Sequence, residues 1–401
     1  MKKKFLNIFN LLILFLIIFL NSCSWRVSKV NYLKQLNNYE VLNCFWGDDL
    51  FFMDLPDAIN QSLRYYRRLP DSRKFKYGDI SYTAAQMESS MLLFLSLIEK
   101  AQENERPFSF LSKNLAEKFL VFESINNSGN AFFTGYYEPV LEGSLTPDED
   151  YNIPLYSRPD DMVKVNVGDF IEKYKNVWIT GRVKGKRFVP YDSRKDIVYK
   201  NSLNNRAEPV AYVKNHIELF FLQIQGSGLI KLKDGEILRV NYSAQNGKPY
   251  KAIGRLLKDK IPKEEMSLQS LKSYLYENPD EIKKILCYNP SYTFFRTLKE
   301  GPLGYIEVPL TKKRSIAMDR KLIPRGGLAF VQSTFPVYDN DGIINWEPLR
   351  LFTLVQDTGG SIKGHGRVDF FWGSGKEAEL LAGPMKQEGR VFLIVAKKEF
   401  L

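Results

Sequence analysis

The chain has 401 residues, of which 44% are hydrophobic, 26% charged and 14% aromatic, a composition that excludes a disordered or fibrous protein. That length holds two domains of ordinary size, roughly 100–200 residues each. The formal net charge of +11 points to an acidic partner, and a total of two histidines leaves little room for a His-rich metal site or a Ser-His-Asp triad.

Residues 1–22 read as a signal peptide. Lys2-Lys3-Lys4 is a basic start, and the apolar run 5–20 is shorter than the ~20 residues a bilayer span needs. Leu20-Asn21-Ser22-Cys23 looks like a bacterial lipobox, which makes Cys23 the expected lipidated N-terminus. Acyl chains there would hold the protein on a membrane, at roughly 0.8 kcal/mol per buried CH₂. Ser24, not Asp, follows the cysteine, and the resemblance to enterobacterial lipoproteins then implies the outer membrane of a Gram-negative cell, facing the periplasm. Loss of the three leader lysines leaves a net charge of +8. An exported protein is not expected to meet nucleic acid, so cell-wall polymer and lipid head groups remain as acidic partners. Cys44 and Cys287 show no disulfide framework and are expected as free, mostly buried thiols.

A tether and a leading strand come next, then helices. Residues 54–68 carry apolar side chains at helical spacing, and Thr83-Ala84-Ala85-Gln86 is a capping box ahead of the apolar run 91–95. Residues 115–122 are a third candidate helix. From 132 to 242 the chain turns β-rich. The partial alternation of 217–224 predicts a strand. Residues 229–232 and 237–240 predict a hairpin around Asp234-Gly235, a pair suited to the positive φ of a tight turn. Helices are expected again at 249–259 and 267–276. The tail predicts strands at 305–309, 327–332, 351–356, 368–372 and 391–396, with a turn at 339–342. The order is α, β, α, β, which fits a β-domain inserted into a larger α+β domain, or two sequential domains.

The glycine-rich stretch QDTGGSIKGHGRVDFFWGSG, residues 356–375, carries the candidate chemistry. Asp357-Thr358-Gly359 is also the signature of aspartic proteases. Those enzymes need two such carboxylates sharing a proton, and no second triplet is present. Asp369 stands against Val368, Phe370, Phe371 and Trp372. A carboxyl walled by such residues loses solvation, its pKa rises, and it can stay protonated near neutral pH. That is what a general acid requires. His365 is expected to be exposed and without a role, and His216 to satisfy a local hydrogen bond.

Four spaced segments give this stretch a context. They are Phe133-Thr134-Gly135-Tyr136-Tyr137-Glu138-Pro139-Val140, Leu222-Gln223-Ile224-Gln225-Gly226-Ser227-Gly228, residues 317–326 (AMDRKLIPRG) and residues 356–375. Residues 242–257 and 289–295 belong with them. Together they closely resemble the membrane-bound lytic transglycosylase A family, MltA, over most of the chain from about residue 50. The resemblance implies a mainly β protein with α segments (α+β). A double-psi β-barrel domain, named for three aspartates (3D), would comprise 24–134 and 245–401 and include the helical N-terminal segment. A smaller inserted β-domain would span 135–244, with a groove between the two. The three aspartates fall on Asp319, Asp357 and Asp369, and the family's catalytic acid matches Asp369.

The implied reaction cleaves the MurNAc-GlcNAc β-1,4 bond of peptidoglycan and leaves a 1,6-anhydroMurNAc end, for cell-wall turnover. It needs no cofactor and no metal. Asp357 is the candidate supporting carboxylate, with turn capping as its structural role. Thr134, Tyr136, Tyr137, Gln225, Gly226, Ser227, Asp319, Gly360, Lys363 and Trp372 are candidate glycan-binding residues. The tyrosines and Trp372 would stack on sugars, and Lys363 would pair with a stem-peptide carboxylate or with Asp357. A monomer working beside the cell-wall synthesis machinery is the implied state. A two-carboxylate muramidase and a non-catalytic, expansin-like wall-binding protein are the alternatives.

Overall fold

Residues 32–44, 46–339 and 342–401 are described by a computed structural model of the chain. The expected signal peptide and Cys23 lie outside these residues, as do Asn340 and Asp341 of the expected turn.

Six strands close the larger barrel: β1 Ala131–Glu138, β2 Ser315–Ala317, β3 Leu328–Asp339, β4 Gly342–Asp357, β5 Arg367–Ser374 and β6 Lys386–Ala396. They pair in the order β1-β5-β2-β4-β3-β6, and β6 returns to β1. The β5/β1 and β2/β4 contacts are parallel and the others antiparallel. This closed six-strand ring is the double-psi barrel that the resemblance implied. Residues 391–396 of β6 are all buried, an apolar run that fits a strand covered on both faces. The helix Ala84–Gln102 supplies one cover. Its Ser90 Oγ accepts the Ala396 N–H at 2.8 Å, and the Thr83–Gln86 capping box forms as expected.

The helix Leu55–Tyr66 is also where its spacing placed it. The third helix starts earlier than expected, at Pro107, and stops at Lys118. Residues 119–124 instead form a strand beside β6. Proline at the first helical position sets that start, because it lacks only an N–H that no helix would use.

A buried ion pair ties the N-terminal segment to the barrel. Arg314 and Asp48 are both fully buried, and the guanidinium donates to the two carboxylate oxygens at 2.6 and 2.9 Å. Arg314 also donates to Met53 O and Phe352 O, while Asp48 accepts the N–H groups of Leu50, Phe52 and Phe352. One residue before Asp357, the fully buried Gln356 donates to Ala58 O at 2.7 Å and accepts from Ser315 Oγ at 2.6 Å. Polar side chains interrupt the barrel core here because they fasten β2 and β4 to the helical layer.

The second barrel uses strands Val140–Ser144, Ile153–Tyr156, Pro209–Val213, Ser227–Leu232, Ile237–Gln245 and Thr293–Leu298. The hairpin around Gly235 is present, with Gly235 at φ +90°. The edge strands of this sheet are Ile153–Tyr156 and Thr293–Leu298, and a bridge from Ser157, just past the first, to Phe295 links them. Thr293–Leu298 pairs with Ile237–Gln245, so this sheet runs past residue 244, where the insert was expected to end. At the junction of the barrels, buried Glu138 accepts from Arg239 at 2.7 Å and from Ser374 Oγ at 2.7 Å.

Three further expected elements differ. Residues 216–225 form a helix, not a strand. Asn215 caps it by accepting the Glu218 N–H at 2.7 Å, and Gly226 ends it at φ +86°. Leu219 and Leu222 enter the small-barrel core, while Ile217, Phe220 and Phe221 pack against the helices that follow. A helix apolar on all sides shows no clean period. Of 249–259, only Ile253–Arg255 is helical, as one 3-10 turn. Residues 305–309 are a loop fastened by a Leu303–Pro309 bridge. The helices Arg194–Tyr199, Ile282–Tyr288 and Gly375–Ala382 were not anticipated. The last lies so close to β1 that a Cβ on Gly135 would meet Ala382 Cα at 2.7 Å.

Removing Arg314 leaves the Asp48 carboxylate buried without its counter-charge. Arg314→Met is expected to cost about 3–5 kcal/mol in urea unfolding. Asp48→Asn in the same chain should recover part of that loss. A loss below about 1 kcal/mol would show that the pair does not fasten the segment.

Candidate active site

A cavity of about 500 Å³ opens between the two barrels. The small barrel and its helix contribute Gln225, Gly226 and Ser227 to its lining, and the large barrel contributes Tyr136, Asp357, Gly360 and Lys363. Seven of the expected site residues therefore meet across one groove.

β2 places the two aspartates. Ala317 lies opposite Asp369 on one side and opposite Asp357 on the other. Two strand spacings, roughly 10 Å, separate their backbones. Thr134 sits opposite Asp369 on β1. Its hydroxyl donates to Asp369 Oδ1 at 2.5 Å and accepts from Arg367 Nη2 at 2.8 Å. Asp369 is partly exposed, yet it is not among the residues lining this cavity. Burial among protein atoms raises its pKa, against the opposing pull of Arg367 and the Thr134 bond.

Asp357 Oδ1 accepts the N–H groups of Tyr305 at 3.0 Å and Thr358 at 2.8 Å. Desolvation nevertheless pushes its pKa up to about 6, and the charge of Asp369 adds to the rise. The Tyr136 hydroxyl is close enough to favour the charged form of Asp357, without a hydrogen bond of normal geometry.

The aromatic wall differs from the expected one. Side chains alternate along β5. Val368, Phe370 and Trp372 face the main core, while Phe371 packs with Tyr136 and Ala317 in a separate cluster. The Tyr136 and Phe371 rings lie 5.1 Å apart. Trp372 is 1% exposed and its Nε1 donates to Met385 Sδ, so it cannot stack on a sugar. Tyr137 is equally closed in, and only its backbone N–H turns toward the cleft residues, donating to Gln225 Oε1 at 3.1 Å.

Asp319 is a brace and not a lining residue. Its carboxylate accepts the N–H of Lys321 at 3.0 Å and of Gly364 at 2.9 Å, which fixes the glycine loop. Lys363 is exposed and forms no ion pair with Asp357. His365 is half-buried and stacks on Tyr32, contrary to the exposed position expected. His216 Nδ1 is buried without the expected hydrogen bond. Cys44 and Cys287 are free and half-buried.

Sequence reasoning missed Tyr305, Asn241 and Arg194, which also line the cavity. Tyr305 lies under Arg320 at 4.8 Å. It sits in a loop whose apolar pattern resembled a strand. Arg194 carried no signal, since a lone arginine in a polar run reads as surface. Among the described residues no cluster of side chains suits a metal ion.

A carboxyl whose pKa rises on folding destabilises the folded state when ionised. For Asp357 that cost is absent below about pH 4, grows as pH rises, and is complete above about 6. Asp357→Asn keeps an oxygen for the two N–H groups and removes the charge. Its melting temperature should exceed that of the parent at pH 8 and match it at pH 4. Equal shifts at both values would contradict the desolvation of this group.

Two domain families match the sequence: the "MltA specific insert domain" over residues 132–296 and the "3D domain" over residues 314–395. A membrane-bound lytic murein transglycosylase A of Escherichia coli (strain K12) is 32% identical over 278 residues, 68% of this chain and 67% of that protein. The crystal structure of a membrane-bound lytic murein transglycosylase from Agrobacterium tumefaciens superposes with a TM-score of 0.72 at 29% identity, covering 91% of this chain and 97% of that one. MltA from Neisseria gonorrhoeae superposes with a TM-score of 0.65 at 29% identity, covering 91% and 93%. The chain belongs to the membrane-bound lytic murein transglycosylase A family.

Proposed function

We propose that the groove between the barrels binds a peptidoglycan glycan strand and that Asp369 cleaves it, first as general acid and then as base. The supporting observation is the state of that carboxyl. It lies on β5 opposite Thr134, whose hydroxyl donates to Oδ1, and two residues before Phe371; burial raises its pKa.

The neutral carboxyl gives its proton to the oxygen that bridges MurNAc and GlcNAc. The C1–O bond breaks, and the leaving sugar departs with the electron pair as a free 4-hydroxyl. Positive charge develops on C1 and the ring oxygen. The 6-hydroxyl of the same MurNAc attacks C1, and its proton passes to the Asp369 carboxylate. The acid is regenerated, no water is consumed, and the product carries a 1,6-anhydro ring. A placed general acid contributes ~10²–10⁴-fold, and holding the 6-hydroxyl near C1 supplies much of the rest.

Asp357 places a partly ionised carboxyl in the groove and would stabilise the charge on C1. Gln225 has its carbonyl oxygen committed to Tyr137, so its NH₂ is left for acceptors of the glycan. Ser227 and the open backbone at Gly360 would take the same strand. Lipidation of Cys23 would hold the enzyme at the outer membrane, facing the periplasmic wall. The membrane-bound character in the relatives' name supports a membrane anchor.

Asp357, a carboxyl that lines the groove and shares the β2 ladder with Asp369, favours one rival, a hydrolytic muramidase. Mass analysis of digested sacculi separates the two. Anhydro ends are expected, and reducible ends would establish hydrolysis. Asp369→Asn is expected to lower product release at least ~100-fold while sacculus binding persists. Asp357→Asn should lower it less. Release that survives in Asp369→Asn but disappears in Asp357→Asn would reverse the two roles. Loss of the acid's proton should make kcat/KM fall as pH rises past its raised pKa. Cys23→Ser should move the protein from the membrane to the soluble fraction.

A further inference from the structure

Another part of the same cavity is lined by Arg194, Gln223 and Asn289, none of which the mechanism above uses. All three are buried, at 4%, 4% and 1% exposure. Arg194 donates from Nε to Asn289 O at 3.1 Å, from Nη2 to Ser291 O at 2.7 Å and from Nη1 to Gln223 Oε1. A guanidinium has five N–H donors, so two stay uncommitted. Its faces rest on Phe220 at 4.6 Å and Tyr292 at 5.5 Å.

The groups acting on the Arg194 charge include Tyr292, Cys287, Tyr199 and Tyr250, none of them a carboxylate. Among the described residues it has no ion-pair partner. A buried charge is ordinarily paired, and this one is not.

The two amides add donors that lack acceptors. Arginine only donates, so Gln223 must turn Oε1 toward it. That leaves Nε2 buried, near the Tyr292 hydroxyl but without a bond of normal geometry. Asn289 Oδ1 accepts the N–H groups of Lys251 and Ser291, each at 3.2 Å, which leaves Nδ2 buried and unpartnered. A buried donor without an acceptor is costly, so each of these groups favours an incoming oxygen.

We infer that this donor cluster receives a carboxylate of the substrate, carried by the 3-O side arm of a muramyl residue. It is either the free lactyl carboxylate of a strand stripped of peptide or a carboxylate of the stem peptide. A neutral acetamido oxygen would satisfy the amides and leave the guanidinium unneutralised. The inference rests on the glycan-cleaving reading of the groove and adds to it a preference for acidic strands over chitin-like ones.

Gln223→Glu tests it. The new carboxylate keeps the bond to Arg194 and supplies the missing negative charge. Asn289→Asp keeps its oxygen for the two N–H groups, adds a charge, and serves where the first variant does not fold. Binding is measured by calorimetry in the Asp369→Asn background. The three ligands are a chitooligosaccharide, a peptide-free murein strand and a stem-bearing strand of equal length. Affinity for the carboxylate-bearing strands should fall at least tenfold more than for the chitooligosaccharide. A selective loss on the peptide-free strand identifies the lactyl group. A loss confined to the stem-bearing strand identifies the stem. Equal changes on all three ligands overturn the inference while the groove reading stands. No glycan binding by the Asp369→Asn parent overturns both.

Discussion

The site depends on a three-strand ladder in which the short strand β2 runs between β4 and β5. Ala317 faces Asp357 across one pairing and Asp369 across the other. Strand geometry fixes the separation of the two carboxyls, and hydrogen-bonded backbone holds it, so neither loop needs to be rigid by itself. The small side chain of Ala317 leaves room for Tyr136 and Phe371 to close over the ladder. Burial raises the pKa of both aspartates, and that of Asp357 reaches about 6.

The ladder needs anchoring because β2 has only three residues. Arg314 precedes it and Ser315 opens it, and both engage buried polar partners. Asp48 comes from the N-terminal segment, and Gln356 lies one residue before Asp357. A single apolar layer would pack here without fixing register. Directional bonds from Arg314 and Gln356 fix which residue of β2 faces which aspartate. The helical N-terminal segment thus acts on the chemistry through the backbone, without touching substrate.

Much of this was legible in the sequence where side-chain pattern and backbone need agreed. Thr83–Gln86, the turn at Gly235 and the apolar run of β6 each carried a local signal that the fold satisfies. The segment 216–225 did not, because a helix whose apolar residues pack into two different cores has no single polar stripe to mark its period. The motifs drew attention to Asp369, Asp357, Thr134 and Gln225 as parts of contiguous stretches, but the bonds that hold them join distant segments, Thr134 to Asp369 across 235 positions and Tyr137 to Gln225 across 88. Alternation along β5 was the available guide to the aromatic wall. It assigns Phe371 to the face of Asp369 and Trp372 to the core. Arg194 and Asn289 come together only in three dimensions, from chain segments 95 residues apart.

The central claim is a carboxyl whose surroundings raise its pKa. The direct measurement is a pH titration of the aspartate side-chain carboxyl carbons by ¹³C NMR on the intact protein, assigned with Asp369→Asn and Asp357→Asn. Asp369 should titrate above the ordinary aspartate value of about 3.9, and Asp357 near 6. An Asp369 that titrates at or below that ordinary value would be ionised throughout the neutral range, and it could not be the proton donor.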